Sequence, residues 1–173
     1  WDNFNGSDRS PMTIQKTLTG QTWVLYSGNW SVTNQTLYDN DQASQVGVVI
    51  SPVKNFTMDI WMNFTGTAAS AFKVSAQDNP SYNMGNERFR IGIYGSGDTH
   101  CGAAVSMGYT AAANTMYVFR ASVNITRNAV NCTIYTVLNS TGNIVLTEVA
   151  SKGWTPFFGT GTAIQSIWLL ADA

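Results

Sequence analysis

At 173 residues the chain has the length of one domain with one sizeable core, and 44% hydrophobic content supplies that core. Only 11% of residues are charged and the formal net charge is -1, so there is no basic stripe for nucleic acid or for an anionic membrane surface. No apolar run reaches the roughly 18 residues of a spanning helix, and one His with two Cys excludes a closed zinc site.

Helical periodicity is nearly absent and period-two alternation recurs. In chain order, strands are expected at Thr22–Tyr26, Trp30–Thr33, Gln45–Ile50, Asn55–Thr65, Ala71–Ala76, Arg88–Tyr94, Tyr117–Thr126, Cys132–Leu138, Asn143–Val149 and Ile164–Ala171. The clearest is Asn55–Thr65, where Phe56, Met58, Ile60, Met62 and Phe64 share one face and Asn55, Thr57, Asp59, Trp61, Asn63 and Thr65 the other. In Tyr117–Thr126 the residues Tyr117, Phe119, Ala121, Val123 and Ile125 face inward and Asn124 outward. Turn chemistry at 27–29, 79–81, 95–98 and 140–143 separates the strands, and the last of these reads as a hairpin. About ten antiparallel strands in one domain bury their apolar faces on each other. The expected fold is all-β, a two-sheet antiparallel β-sandwich of jelly-roll type spanning 1–173. Ala111–Ala113 is too short for a helix.

The polarity that charge does not supply comes from Ser, Thr, Asn and Gln. Eight acceptor sequons for N-glycosylation stand at Asn5, Asn29, Asn34, Asn55, Asn63, Asn124, Asn131 and Asn139. The pair Cys101 and Cys132 is expected to form a disulfide in an oxidising compartment. A first residue Trp1 that no ordinary start supplies implies excision from a precursor, after a secretory leader or from a longer protein. Together these place the expected protein outside the cell.

The segments Asp2-Asn3-Phe4-Asn5, Thr19-Gly20-Gln21-Thr22-Trp23 and Ser27-Gly28-Asn29-Trp30-Ser31-Val32 form a D-x-F-N, G-x-x-W, G-x-W-x-V series. This series resembles the opening of concanavalin A-like lectin/glucanase domains of laminin-G-like type. The likeness continues loosely through Asn55–Ile60 and Arg88–Tyr94 to Leu169–Asp172. It implies a two-sheet jelly roll with structural Trp23 and Trp30 and a last strand beside the first. Such a fold hosts binding modules, structural parts and enzymes alike.

Chemistry is sparse. The E-x-D-x-E pattern of retaining glycosidases on related sandwiches is missing, and the two glutamates, Glu87 and Glu148, fall on different strands. His100 stands in a Gly-rich segment read as a loop, without a nucleophile partner. Arg88, Arg90 and Tyr94 share one strand face in the manner of a solvated face. No catalytic residue is assigned and the protein is read as no enzyme. Sugar recognition needs rings that stack on C–H faces and amides that bond hydroxyls, which makes Trp61, Tyr82, Tyr94 and Trp154 the candidate carbohydrate-binding residues. Asp2 and Asp172, near the two termini, are the candidate ligands of a structural Ca²⁺, the one cofactor this reading leaves open.

Three functions compete. First comes a heavily glycosylated structural or adhesive subunit of a filament, sheath or coat, with copies of itself as partners. A carbohydrate-binding lectin module with extracellular glycans as partners stands second, and a glycan-cleaving enzyme third.

Overall fold

The computed structural model describes residues 14–16, 22–28, 30–33, 36–39, 44–64, 71–140 and 143–172. The described residues contain fourteen strands: β1 (Ile14–Lys16), β2 (Thr22–Ser27), β3 (Trp30–Thr33), β4 (Thr36–Asp39), β5 (Ser44–Val53), β6 (Asn55–Phe64), β7 (Ala71–Gln77), β8 (Glu87–Ile93), β9 (Asp98–Gly102), β10 (Val105–Thr110), β11 (Thr115–Asn124), β12 (Ala129–Ser140), β13 (Asn143–Pro156) and β14 (Ile164–Asp172). One turn of 3₁₀ helix, Met84–Asn86, precedes β8.

Every recorded pairing is antiparallel. The larger sheet has eight strands in the order β1-β2-β5-β14-β7-β8-β9-β10, the smaller has four in the order β13-β12-β11-β6, and β3 and β4 form a separate ribbon. The two larger sheets face each other in an antiparallel β-sandwich, as the alternation requires. The register makes the inner faces explicit. Phe119 pairs with Ile60 and Ile134, and Ala121 pairs with Met58 and Cys132. Across the core, Val74 pairs with Ile91 and Leu169, and Ile91 pairs with Cys101. Phe89, Ile91, Ile93, Phe119 and Ile134 are fully buried between the sheets, with Phe89 stacked on Phe157 at 5.6 Å.

Cys101 on β9 and Cys132 on β12 form the expected disulfide, Cα–Cα 6.1 Å. It crosses the sandwich from one sheet to the other, both sulfurs in the core. Thr155, also buried, sets its hydroxyl 3.4 Å from Cys101 Sγ while donating to the Val130 carbonyl.

Strands β1 and β4 were not expected from the sequence, and four further features differ. The Gly-rich segment around His100 is strand β9 rather than a loop, because Thr99 and Cys101 alternate inward with His100 facing out. The run Val105–Thr110 is strand β10 at the sheet edge, although positive-φ Gly108 breaks its pattern. Strand β13 extends to Pro156, past the expected Val149, through register shifts opposite Val130–Cys132 and Ile134–Tyr135 that reset the alternation. The last strand, β14, lies between β5 and β7, so β5 separates it from β2 and β1. The expected hairpin is present, with Ser140 paired to Asn143. Trp23 is buried with Val46, Val48 and Ala171, as the resemblance implies.

Candidate functional site

The two outer faces of the sandwich are chemically different. On the larger sheet one row of cross-strand partners runs Val24, Gly47, Trp168, Ser75, Arg90, Gly102. Large side chains alternate with small ones, so Trp168 lies down over its neighbours. A Cβ on Gly47 would collide with the Trp168 ring, and the indole is 2% exposed although it faces away from the core. Its Nε1 donates to Ser166 Oγ at 2.8 Å. Tyr26 meets it edge-on at 6.2 Å and Tyr82 at 5.4 Å, and the two tyrosines are 5.4 Å apart.

Tyr82 comes from the segment 78–86, which the sheet's own side chains hold in place. Gln165 Nε2 donates to the Asp78 carbonyl and Ser166 Oγ to the Asn79 carbonyl. Buried Gln77 accepts from the Asn83 amide at 3.0 Å. Within the segment, Asn79 and Asn83 each accept from the backbone two residues on, as Asx turns do. A loop rich in Asn and Ser is thereby presented with an ordered backbone, which lowers the ordering cost of any ligand it meets.

Beside this loop Glu87 takes two hydrogen bonds from Arg90, at 2.7 and 2.5 Å. Gln77 pairs with Glu87 across a bulge, which turns Arg88 aside to bond Asp78 at 2.6 Å. Arg90 also reaches the Tyr94 hydroxyl at 3.4 Å and lies over the Phe158 ring at 5.6 Å. Burial opposes the charge on Arg90, but its bonds to Glu87 and Tyr94 overcome this and raise its pKa. Burial, and then the neighbouring Arg90, lower that of Lys73; burial raises that of the Tyr82 phenol. Tyr94 is flanked by Lys73 Nζ, 4.6 Å from its ring centroid, and by the His100 ring stacked at 4.1 Å. His100 in turn lies between Asp98 Oδ2 and the Ala104 carbonyl.

The smaller sheet's outer face carries sequons. Asn55 and Asn63 on β6, Asn124 on β11, and Asn131 and Asn139 on β12 all fall on it: Asn124 pairs with Asn55, Asn63 with Met116, Asn131 with Ser122 and Asn139 with Ile144. Among the described residues no sequon asparagine lies on the larger sheet. Asn5, Asn29 and Asn34 fall outside the described residues. At the centre of this face Arg120 grips Asp59 with two bonds of 2.8 Å and covers the Tyr135 ring.

The four candidate sugar-binding aromatics therefore divide. Tyr82 and Tyr94 come together on the larger sheet around Glu87 and Arg90, with Tyr94 already stacked on by its neighbours. Trp61, 44% exposed, lies two residues from Asn63 on the sequon face. Trp154, with its ring under Arg127 at 4.9 Å, sits in the bulge opposite Asn131. Tyr26, Phe158 and Trp168 were not singled out from sequence, since Tyr26 and Trp168 meet through strands far apart in the chain and Phe158 arrives from the segment after β13, its amide bonding the Arg88 carbonyl. Glu87 and Glu148 face outward from different sheets, Glu148 opposite Tyr135, and so do not share a cleft. Asp2 lies outside the described residues, as does the side chain of Asp172; the described residues contain no cluster of metal-ligating side chains.

No protein-family model and no curated protein matches the chain. Among solved structures, a sialidase superposes with a TM-score of 0.63 at 16% identity over 87% of this chain. The chain spans 13% of that sialidase's length, and the likeness is one of fold. Two further structures superpose more loosely. Arcelin-5, a lectin-like defense protein from Phaseolus vulgaris, has a TM-score of 0.38 at 10% identity, covering 95% of this chain and 91% of its own. Lectin UEA-II complexed with galactose has 0.37 at 8%, covering 96% and 92%.

Proposed function

We propose that the chain is a non-catalytic, extracellular, lectin-like module that binds carbohydrate on the outer face of its larger sheet and carries N-glycans on the outer face of its smaller sheet. The observation that carries this reading is the cluster of Tyr26, Tyr82 and Trp168 beside the pinned 78–86 loop and the Glu87–Arg90 pair. Tyr26 is 61% exposed and Phe158 46%, which gives stacking surfaces on either side of fixed polar groups. A sugar needs that combination: ring faces for its C–H groups, amides and hydroxyls for its own hydroxyls. None of the five sequon asparagines among the described residues stands on this sheet. The disulfide supports an oxidising compartment.

The test is a glycan array probed with the folded, glycosylated protein, repeated with Tyr26→Ala and Phe158→Ala. These side chains are exposed, so their removal leaves the core intact. Binding that falls at least roughly tenfold, about 1.4 kcal/mol, in either variant supports the reading; binding unchanged in both contradicts it.

A second reading, a structural subunit of a surface assembly, draws on the same placement of the five described sequons, since the face opposite them can also pack on a neighbour. Ordered polymers in electron micrographs of native material would favour it, and a monomer at high concentration would oppose it.

A further inference from the structure

The sequon-bearing face is not uniform along its length. At one end Asn55, Asn124 and Asn131 surround a polar patch in which the Thr57 and Ser122 hydroxyls bond at 3.3 Å. At the other end Asn63 and Asn139 stand among apolar side chains. Asn63 is the direct cross-strand partner of Met116, which is 39% exposed, and Asn139 that of Ile144, 58% exposed. Trp61, two residues before Asn63, shares its face. Between Trp61 and Tyr135 lies Val118, paired with both and fully buried although it faces away from the core. The result is an apolar ledge that runs from Trp61, Val118 and Met116 beside Asn63, by way of the paired Val137 and Leu146, to Ile144 beside Asn139.

We infer that this ledge is covered by the chain's own sugars: the glycans on Asn63 and Asn139 fold back over Trp61, Met116 and Ile144. The inference rests on the glycosylation part of the function proposed above. Geometry supports it, because side chains two apart on a strand, or directly opposite across an antiparallel pair, lie within about 5 to 7 Å. The first sugar on Asn63 therefore begins beside the Trp61 indole and the Met116 thioether. Hexosamine rings present apolar C–H faces suited to an aromatic plane. Both asparagines are exposed, so their Nδ2 atoms are accessible for attachment. Sugar there removes apolar area from water without a partner protein. At the polar end the Trp154 ring opposite Asn131 already lies under Arg127, and Asn124 uses its Oδ1 to accept from the Arg127 amide.

The experiment begins with glycopeptide mass spectrometry of the secreted protein, which reads occupancy at each sequon. Acrylamide quenching of the Trp61 emission, taken as the difference from a Trp61→Phe variant, is then compared in the native protein, in Asn63→Gln plus Asn139→Gln, and in Asn55→Gln as a matched control. Expected are occupied Asn63 and Asn139, a rise in Trp61 quenching and in apolar-dye binding in the double variant, and neither change in Asn55→Gln. If both sites are occupied and quenching is unchanged in the double variant, the sugars do not lie on the ledge and the inference fails while glycosylation stands. Empty Asn63 and Asn139 overturn the inference, and Asn55, Asn124 and Asn131 empty as well would overturn the glycosylation reading. A glycan-independent dimer in sedimentation that protects Trp61 makes a second copy the occupant and overturns the inference as well.

Discussion

Two residues on this sandwich show how small side chains arrange a large surface. Gly47 is glycine because the Trp168 ring occupies the place of its Cβ; Trp168 then carries Tyr26 and Tyr82 on the outside of the sheet. Gly47→Ala is expected to push the indole outward and to destabilise by about 1 to 3 kcal/mol, the usual cost of overpacking. The same change should weaken sugar binding, since the tyrosines lose their support. Chemical denaturation checks the first effect and the glycan array the second. At Asp59 the hydrogen bonds from Arg120 lower the carboxyl pKa below the ordinary carboxylate range. The sign follows: the pair adds stability above the carboxyl's unfolded pKa, and that contribution is lost as pH falls through the lower folded value. Both side chains are about a third or more exposed, so the contribution is under about 1 kcal/mol. Asp59→Asn should therefore lower the melting temperature slightly at pH 7 and not at all near pH 2, as thermal melts at both pH values would show.

At the scale of elements, the legible strands were those whose alternation is uninterrupted. In Asn55–Thr65 and Tyr117–Thr126 every second residue is apolar, and β6 and β11 follow the expected faces residue by residue. Strand β9 was hidden because Gly97 and Asp98 at its start and Gly102 at its end read as a loop, while its strand character comes from pairing with β8 and β10. The far half of β13 was hidden by Lys152 and Gly153, which fall where the bulges shift the register. The candidate site was legible only in part for the same reason. Tyr82 and Tyr94 could be singled out as aromatics in a polar setting, but Tyr26 and Trp168 meet Tyr82 only because β2, β5, β14 and β7 are neighbours in space. Cysteine pairing was legible because two cysteines allow one intramolecular bridge. Its position, tying β9 to β12 across the core, predicts that Cys101→Ser lowers stability by about 3 to 4 kcal/mol from loop closure alone. An unfolding midpoint that is the same with and without reductant would contradict this.

Taken whole, the molecule is a sandwich with two unlike outsides. The smaller sheet shows the five described sequon asparagines, an ion pair and an apolar ledge; the larger shows an aromatic cluster, a pinned loop and paired charges. Low overall charge agrees with this division, because a surface that sugars keep soluble needs few ionised groups. The arrangement predicts that enzymatic removal of the glycans lowers solubility while leaving sugar binding intact, which turbidity and the glycan array would read on one sample.

The measurement that tests the division most directly is covalent footprinting of the glycosylated protein with and without the oligosaccharide that binds best on the array. Protection of Tyr26, Tyr82 and Phe158, with Trp61 and Tyr135 unchanged, is the predicted result. Protection confined to Trp61 and Tyr135, on the sequon-bearing sheet, would contradict it.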